Sequence, residues 1–194
     1  MGAVNACLEI ILYRNRLQLA AGNVLYSDSG NYLPALAIVK NLKAFLSSVN
    51  NVLVLGAGLG SIVNIIRKNG FNPHFTLVEN DKVVLQWALE CLAEQQAKIT
   101  PVCMDAAAFM AKNTAKYDFI FIDIFNRNVV PDFVVTPLFL DACRNSRSDG
   151  GRIAFNYMVN DKKEWGKVQG VFNSIFPGCH VLDLGINCVF ITPP

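Results

Sequence analysis

The 194 residues suit one domain with one core and leave little room for two. A net charge of +2 without any run of like charges excludes a nucleic-acid-binding surface, which needs clustered Lys and Arg. A hydrophobic fraction of 53% against 16% charged points to strands buried on both faces, with a homodimer as one way to cover apolar surface left over.

The first thirty residues read as short strands, Leu8–Tyr13, Leu17–Ala20 and Val24–Ser27, punctuated by turns at Asn15-Arg16, Gly22-Asn23 and Ser29-Gly30. They predict a small β-meander over residues 1–31, preceding a main unit over 32–194. A helix follows over Leu33–Ser48, with Pro34 in its first turn and Leu36, Val39, Leu42, Phe45 and Leu46 on an apolar face. From Asn51 the chain alternates. Strands are expected at Asn51–Leu55, Phe75–Val78, Ile99–Met104, Phe119–Ile124 and Arg152–Tyr157. Helices are expected at Leu59–Asn69, from Asp81 to about Gln95, and over Ala106–Lys112, Thr136–Asn145 and Lys162–Phe176. His180–Leu184 and Cys188–Thr192, separated by Gly185-Ile186-Asn187, read as a closing hairpin. Nearly all-apolar strands alternating with helices predict an α/β, doubly wound, mostly parallel Rossmann-like sheet, with one late antiparallel strand.

No stretch reads as a membrane span. Val52 to Ile66 is broken by glycines, Ser61 and Asn64, and falls short of the roughly 20 apolar residues a span needs. The N-terminus lacks a basic n-region and carries Glu9, so a cytoplasmic location is expected. The six cysteines are scattered without a CxxC pair, and the two histidines are His74 and His180. No metal set is expected, and the cysteines are expected to be reduced and mostly buried.

The chemistry-bearing motif is Gly56-Ala57-Gly58-Leu59-Gly60, which follows an apolar strand and opens a helix. Gly56 permits the sharp turn, Gly58 lets a ligand approach the backbone, and Gly60 permits close packing of the helix onto the strand. Glu79, with Asn80 beside it, ends the next strand about twenty residues on, where a carboxylate accepts hydrogen bonds from ribose hydroxyls. Asp105, followed by Ala106, ends the third strand and suits an adenine amine, an N-cap, or both. Asp123 ends the fourth strand, outside the carboxyl edge where ligands of open α/β sheets bind. It is placed to hold a cationic amine or accept a proton. Asp118 starts the same strand at the opposite edge and reads as a solvated terminus. Asn126, Asn156 and Tyr157 lie at strand ends where an acceptor would be oriented, and the loop Asn126–Val135, stiffened by Pro131, reads as a lid.

From Arg16 to about Tyr157 the chain resembles the spermidine synthase-like branch of the class I S-adenosylmethionine-dependent methyltransferase superfamily. The resemblance is carried by the glycine loop, Glu79, Asp105-Ala106 and Tyr117-Asp118-x-Ile120-x-Ile122-Asp123. Leu19-Ala20-Ala21-Gly22-Asn23-Val24, Tyr26-Ser27-Asp28 and Tyr32 add to it. It implies a seven-stranded class I methyltransferase fold and S-adenosylmethionine, or its decarboxylated form, as cofactor. In that family's terms Glu79 binds the ribose, Asp105 the adenine amine, and Asp123 the substrate amine or the cofactor tail. The departures are informative. The family's loop reads Gly-Gly-Gly-Asp-Gly-Gly, its Asp holding an ammonium, where this chain has Leu59. The family's Asp-x-x-Asp after the fourth strand becomes Asp123 and Asn126, with Arg127 next, and Leu25 stands at a glutamine that seats the diamine. A dicationic diamine needs carboxylates around it. The expected function is therefore methyl transfer from S-adenosylmethionine to an unidentified small-molecule acceptor, with Asp123 and Asn126 at the reacting end. A polyamine aminopropyltransferase, a non-catalytic nucleoside-binding homologue and, last, a nicotinamide dehydrogenase are the alternatives.

Overall fold

Strands alternating with helices organise most of the described part of the chain, residues 8–14, 16–21, 24–126 and 129–194 of the computed structural model. For residues 16, 21, 24–26 and 94–96 the backbone alone is described. Cys7, the turns at Asn15 and Gly22-Asn23, the side chain of Leu25 and Arg127 lie outside the described residues.

The N-terminal segment is a three-stranded antiparallel sheet of β1 (Glu9–Tyr13), β2 (Arg16–Ala21) and β3 (Val24–Ser27). A turn of 3-10 helix leads into α1 (Leu33–Asn41) and α2 (Lys43–Leu46). The single helix expected over Leu33–Ser48 is broken at Leu42, where ψ opens to 16°. The break leaves both Leu42 and Leu46 buried.

The main sheet is built from β4 (Asn51–Leu55), β5 (His74–Glu79), β6 (Ile99–Cys103), β7 (Tyr117–Ile122), β8 (Arg147–Met158), β9 (His180–Asp183) and β10 (Asn187–Ile191). Between them run α3 (Ser61–Lys68), α4 (Lys82–Cys91), α5 (Ala106–Lys112), α6 (Pro137–Asn145) and α7 (Lys162–Ile175). The order β6-β5-β4-β7-β8-β10-β9 is that of the class I methyltransferase fold. The expected closing hairpin forms, and β10 inserts between β8 and β9, antiparallel to both. Strand β8 begins earlier than Arg152 because Arg147 already pairs with Tyr117 across a register shift. Asp118 is no mere solvated terminus. It accepts hydrogen bonds from the Asn50 and Asn51 N–H groups and the Ser148 hydroxyl, at 2.8, 3.0 and 2.8 Å. Burial alone would raise its carboxyl, but these bonds outweigh it and hold it below its usual range.

Both faces of the sheet are packed, by α1 and α3 on one side and α5, α6 and α7 on the other, with Val52, Phe75 and Phe119 in one core and Leu53, Ile120 and Phe155 in the second. The chain leaves β4 toward β5 and β6, then returns to β7 on β4's other side. The order reverses there, and a crevice opens at the carboxyl ends. The described cysteines are free thiols, but only Cys143 and Cys188 are buried; Cys103 is exposed, so the expectation of mostly buried cysteines holds only in part. Among the described residues no helix is long and apolar enough to cross a membrane, and no cluster of metal-ligating side chains occurs.

Candidate functional site

The crevice holds a cavity of about 280 Å³. Its floor is the turn after β4, where Gly56 (φ 89°), Gly58 (φ 49°) and Gly60 (φ 75°) all take the left-handed conformation that a side chain disfavours. A Cβ on Gly56 would lie 2.2 Å from the Asp123 carbonyl oxygen, so the ends of β4 and β7 approach as closely as they do only because position 56 is glycine. Gly60 has another use than the one expected. Its missing Cβ leaves room for Leu92, beyond α4, at 2.5 Å, rather than for a strand.

Of the residues expected at the site, Gly56, Ala57, Gly58, Glu79, Asn80, Asp105, Ala106, Asp123 and Asn126 line the cavity. Leu59 and Gly60, expected with them, lie outside its lining. The Leu59 side chain is buried with Leu19 of β2 and Val84 of α4, and its N–H donates to the Ser27 hydroxyl at 3.3 Å. Its apolar character thus serves the joint between the meander and the main sheet.

Glu79 ends β5 half-buried. Its carboxylate accepts from the Ala57 N–H and the Asp81 N–H, each at 3.1 Å, tying the glycine turn to the start of α4. Burial raises its carboxyl above the ordinary value, partly offset by these backbone bonds. Asp81 is the cap of α4, accepting from Val83 and Val84. Asp105 caps α5 through Ala108 N–H at 2.9 Å and also faces the cavity, so one carboxylate is available for both of its expected roles.

Asp123 stands at the opposite end of the cavity. Its Oδ1 accepts from the Tyr32 hydroxyl at 3.0 Å and from Asn156 Nδ2 at 2.8 Å. Burial pushes its carboxyl up to about 7, against the lowering pull of these two donors. Tyr32 is raised well above its usual value, first by burial and then by the charge of Asp123. Asn156 is fully buried and does not line the cavity, so it orients Asp123 rather than an acceptor. Tyr157 is stacked on Trp165 and also does not line it. Asn126 is exposed, and its N–H donates to the Val129 carbonyl at 2.9 Å. In the expected lid, Pro131 and Phe133 line the cavity while Val130 and Val134 anchor the segment in the core.

Sequence reasoning missed the parts drawn from the N-terminal segment. Ser27 of β3 and Ser61 of α3, both buried, share a hydrogen bond of 2.6 Å at the cavity wall. Tyr32 precedes α1 and carries no local signal of its partner. The charged side chains lining the cavity, among the described residues, are Glu79, Asp105 and Asp123; no Lys or Arg is among them. Such a cavity suits a ligand that is cationic at one end and rich in hydrogen-bonding hydroxyl and amine groups at the other.

No family model matches the chain. Among curated proteins, a polyamine aminopropyltransferase of Vibrio vulnificus is 26% identical over 153 residues, which are 77% of this chain and 51% of the relative. The chain therefore spans about half the length of that relative. Among solved structures, a probable spermidine synthase from Corynebacterium glutamicum superposes with a TM-score of 0.78 at 17% identity, over 96% of this chain and 75% of the other. Human methyltransferase-like protein 13, in complex with SAH, superposes with a TM-score of 0.69 at 19% identity, over 84% and 80% of the two chains. In sequence and in fold, the chain is similar to the spermidine synthase-like branch of the class I S-adenosylmethionine-dependent methyltransferase superfamily.

Proposed function

We propose that this chain is an S-adenosylmethionine-dependent transferase that moves a methyl group to a small amine. The observation that carries the reading is Asp123, oriented by Tyr32 and Asn156 and facing the same cavity as the glycine turn, Glu79 and Asp105. In this reading Glu79 takes the ribose and Asp105 the adenine amine, which is supported by both lining the cavity. Bound there, the sulfonium would supply an activated carbon for direct displacement, a reaction that depends mainly on alignment. With Oδ1 engaged by Tyr32 and Asn156, Asp123 would offer Oδ2 to hold the acceptor amine and take the proton it sheds on methylation. A carboxyl poised near neutrality suits that task. The described part of the N-terminal meander acts in this reading as a wall of the site, through Ser27 and Leu19.

The donor is the finer question. With Glu79 and Asp105 at the nucleoside end, Asp123 is the one described acid at the reacting end. One acid suits a single amine better than a dicationic diamine beside a second ammonium. The second reading, aminopropyl transfer from decarboxylated S-adenosylmethionine, is favoured by the names of the curated relatives and by the acid-lined cavity.

Calorimetric titration with S-adenosylmethionine, its decarboxylated form and methylthioadenosine, followed by mass spectrometry of amine mixtures, separates these. Tighter binding of the intact cofactor and a methyl gain on an amine is the expected result. Spermidine formed from a diamine establishes the second reading. Binding without transfer to any amine leaves a nucleoside-binding homologue, and binding of NAD alone overturns the proposal.

A further inference from the structure

Asn187, at the start of β10, lies outside the cavity and at first sight serves only the closing hairpin. Its Nδ2 donates to Asn156 Oδ1 at 3.0 Å. The two residues are diagonal neighbours across the β8–β10 pair, where Asn156 faces Val189 and Asn187 faces Met158. Asn156 is fully buried, so its amide orientation is set by the groups around it and by no water from bulk. With its oxygen occupied by Asn187, it must turn its nitrogen toward Tyr32 and Asp123, and it donates to both, at 3.0 and 2.8 Å. A reversed amide would set oxygen against the Asp123 carboxylate and nitrogen against the Asn187 nitrogen.

We infer that Asn187 is a positioning residue for the reaction, acting through Asn156 to commit Oδ1 of Asp123 to two donors and leave Oδ2 for the acceptor amine. The inference rests on the reading of Asp123 as the acid that meets the acceptor. The relay has a consequence in the protein without ligand. The Asn156 donor stabilises the charged form of Asp123, so disturbing it raises the Asp123 titration midpoint. The other titratable groups facing that end are Tyr32, in direct contact, and, along the same cavity, Glu79 from β5 and Asp105 after β6.

The test is carbon-13 NMR of the aspartate carboxyls against pH on ligand-free protein, with Asp123→Asn identifying the Asp123 signal. Asn187→Leu removes the donor, and Asn187→Asp replaces it with an acceptor that draws the Asn156 nitrogen away from Asp123. The expected midpoints rise by about one pH unit in the first and by more in the second, the size expected for losing a hydrogen bond to a charged group. The new carboxylate in Asn187→Asp also raises the midpoint by charge repulsion, so the neutral Asn187→Leu carries the decision. An unchanged midpoint in Asn187→Leu overturns the inference; should that variant not fold, an unchanged midpoint in Asn187→Asp does so. No cofactor or substrate enters this readout, so it stands or falls separately from the proposed activity. With an active amine acceptor in hand, both variants lower kcat while the KM for the cofactor stays constant.

Discussion

The two ends of the cavity are built in different ways. At the end proposed for the nucleoside, the glycine turn, Glu79 and Asp105 each sit where a strand gives way to a helix, and each is placed by its own turn. At the end proposed for the reaction, Tyr32 meets Asp123 across 91 positions and Asn156 across 124, and Asn187 joins from a hairpin strand. Local backbone geometry makes the first end; tertiary packing makes the second. The first should therefore govern affinity, and the second rate and pH response.

The strongest test of this division is the residue both ends share. Gly56→Ala puts a Cβ 2.2 Å from the Asp123 carbonyl at a φ of 89°. The added methyl meets backbone, so no flexible side chain can yield. A loss of several kcal/mol, on the order of 3 or more, is expected in urea denaturation, with both ends of the site lost together. Gly70→Ala is the control, since it has the same left-handed backbone (φ 88°) but nothing within 4 Å of the added Cβ. Its cost should be about 1 kcal/mol. If Gly56→Ala kept cofactor binding and lost only turnover, the two ends would not share this hinge.

Asp123→Asn comes next. A lost general base reduces kcat by roughly 10²–10⁴-fold, and cofactor affinity should hardly move. Stability supplies an independent check. Asp123 has its carboxyl raised in the folded chain from 3.8 to about 7. Between those values the folded state holds a proton that the unfolded state has released, so stability falls as pH rises through that window. The slope from one such group is at most about 1.4 kcal/mol per pH unit. Urea midpoints measured from pH 4 to 7.5 should show this fall, and Asp123→Asn should flatten it. Glu79, raised as well, leaves a residual slope of the same sign.

The same division explains what the sequence could show. The alternation of strands and helices, the glycine turn, the strand-end positions of Glu79 and Asp105, and the cap Asp81 were all legible, because each depends on a few consecutive residues. Asp123 was legible as the end of an apolar strand, but its partners were not. Tyr32 reads as an ordinary residue before a helix, and Asn187 as a hairpin residue; only the assembled sheet brings them to one carboxylate. The packing of Leu59 was illegible for a related reason. Its place within the motif pointed to a ligand, while its side-chain partners, Leu19 and Val84, come from elements remote in sequence.

At the nucleoside end, Glu79→Gln should weaken binding of S-adenosylmethionine by about 10–100-fold in calorimetry, the value of one or two hydrogen bonds to a charged acceptor. Its effect on kcat at saturating cofactor should be small. A fall in kcat with unchanged affinity would erase the distinction between the two ends, since it would place Glu79 in the reacting geometry.

Asp105 gives the smallest effect and the finest discrimination. Its carboxylate caps α5 through Ala108 N–H and faces the cavity as well. Asp105→Ala removes both contributions, and the lost cap alone costs about 1 kcal/mol in thermal or urea unfolding. Asp105→Ser keeps a capping oxygen but removes the charge that would receive the adenine amine. Its stability should match that of the unmodified chain within a few tenths of a kcal/mol, while cofactor affinity drops by about 5–10-fold. If Asp105→Ser binds the cofactor as well as the unmodified chain, the carboxylate is a cap and nothing more. The nucleoside end would then rest on Glu79 and the backbone of the glycine turn, and local geometry alone would account for its affinity.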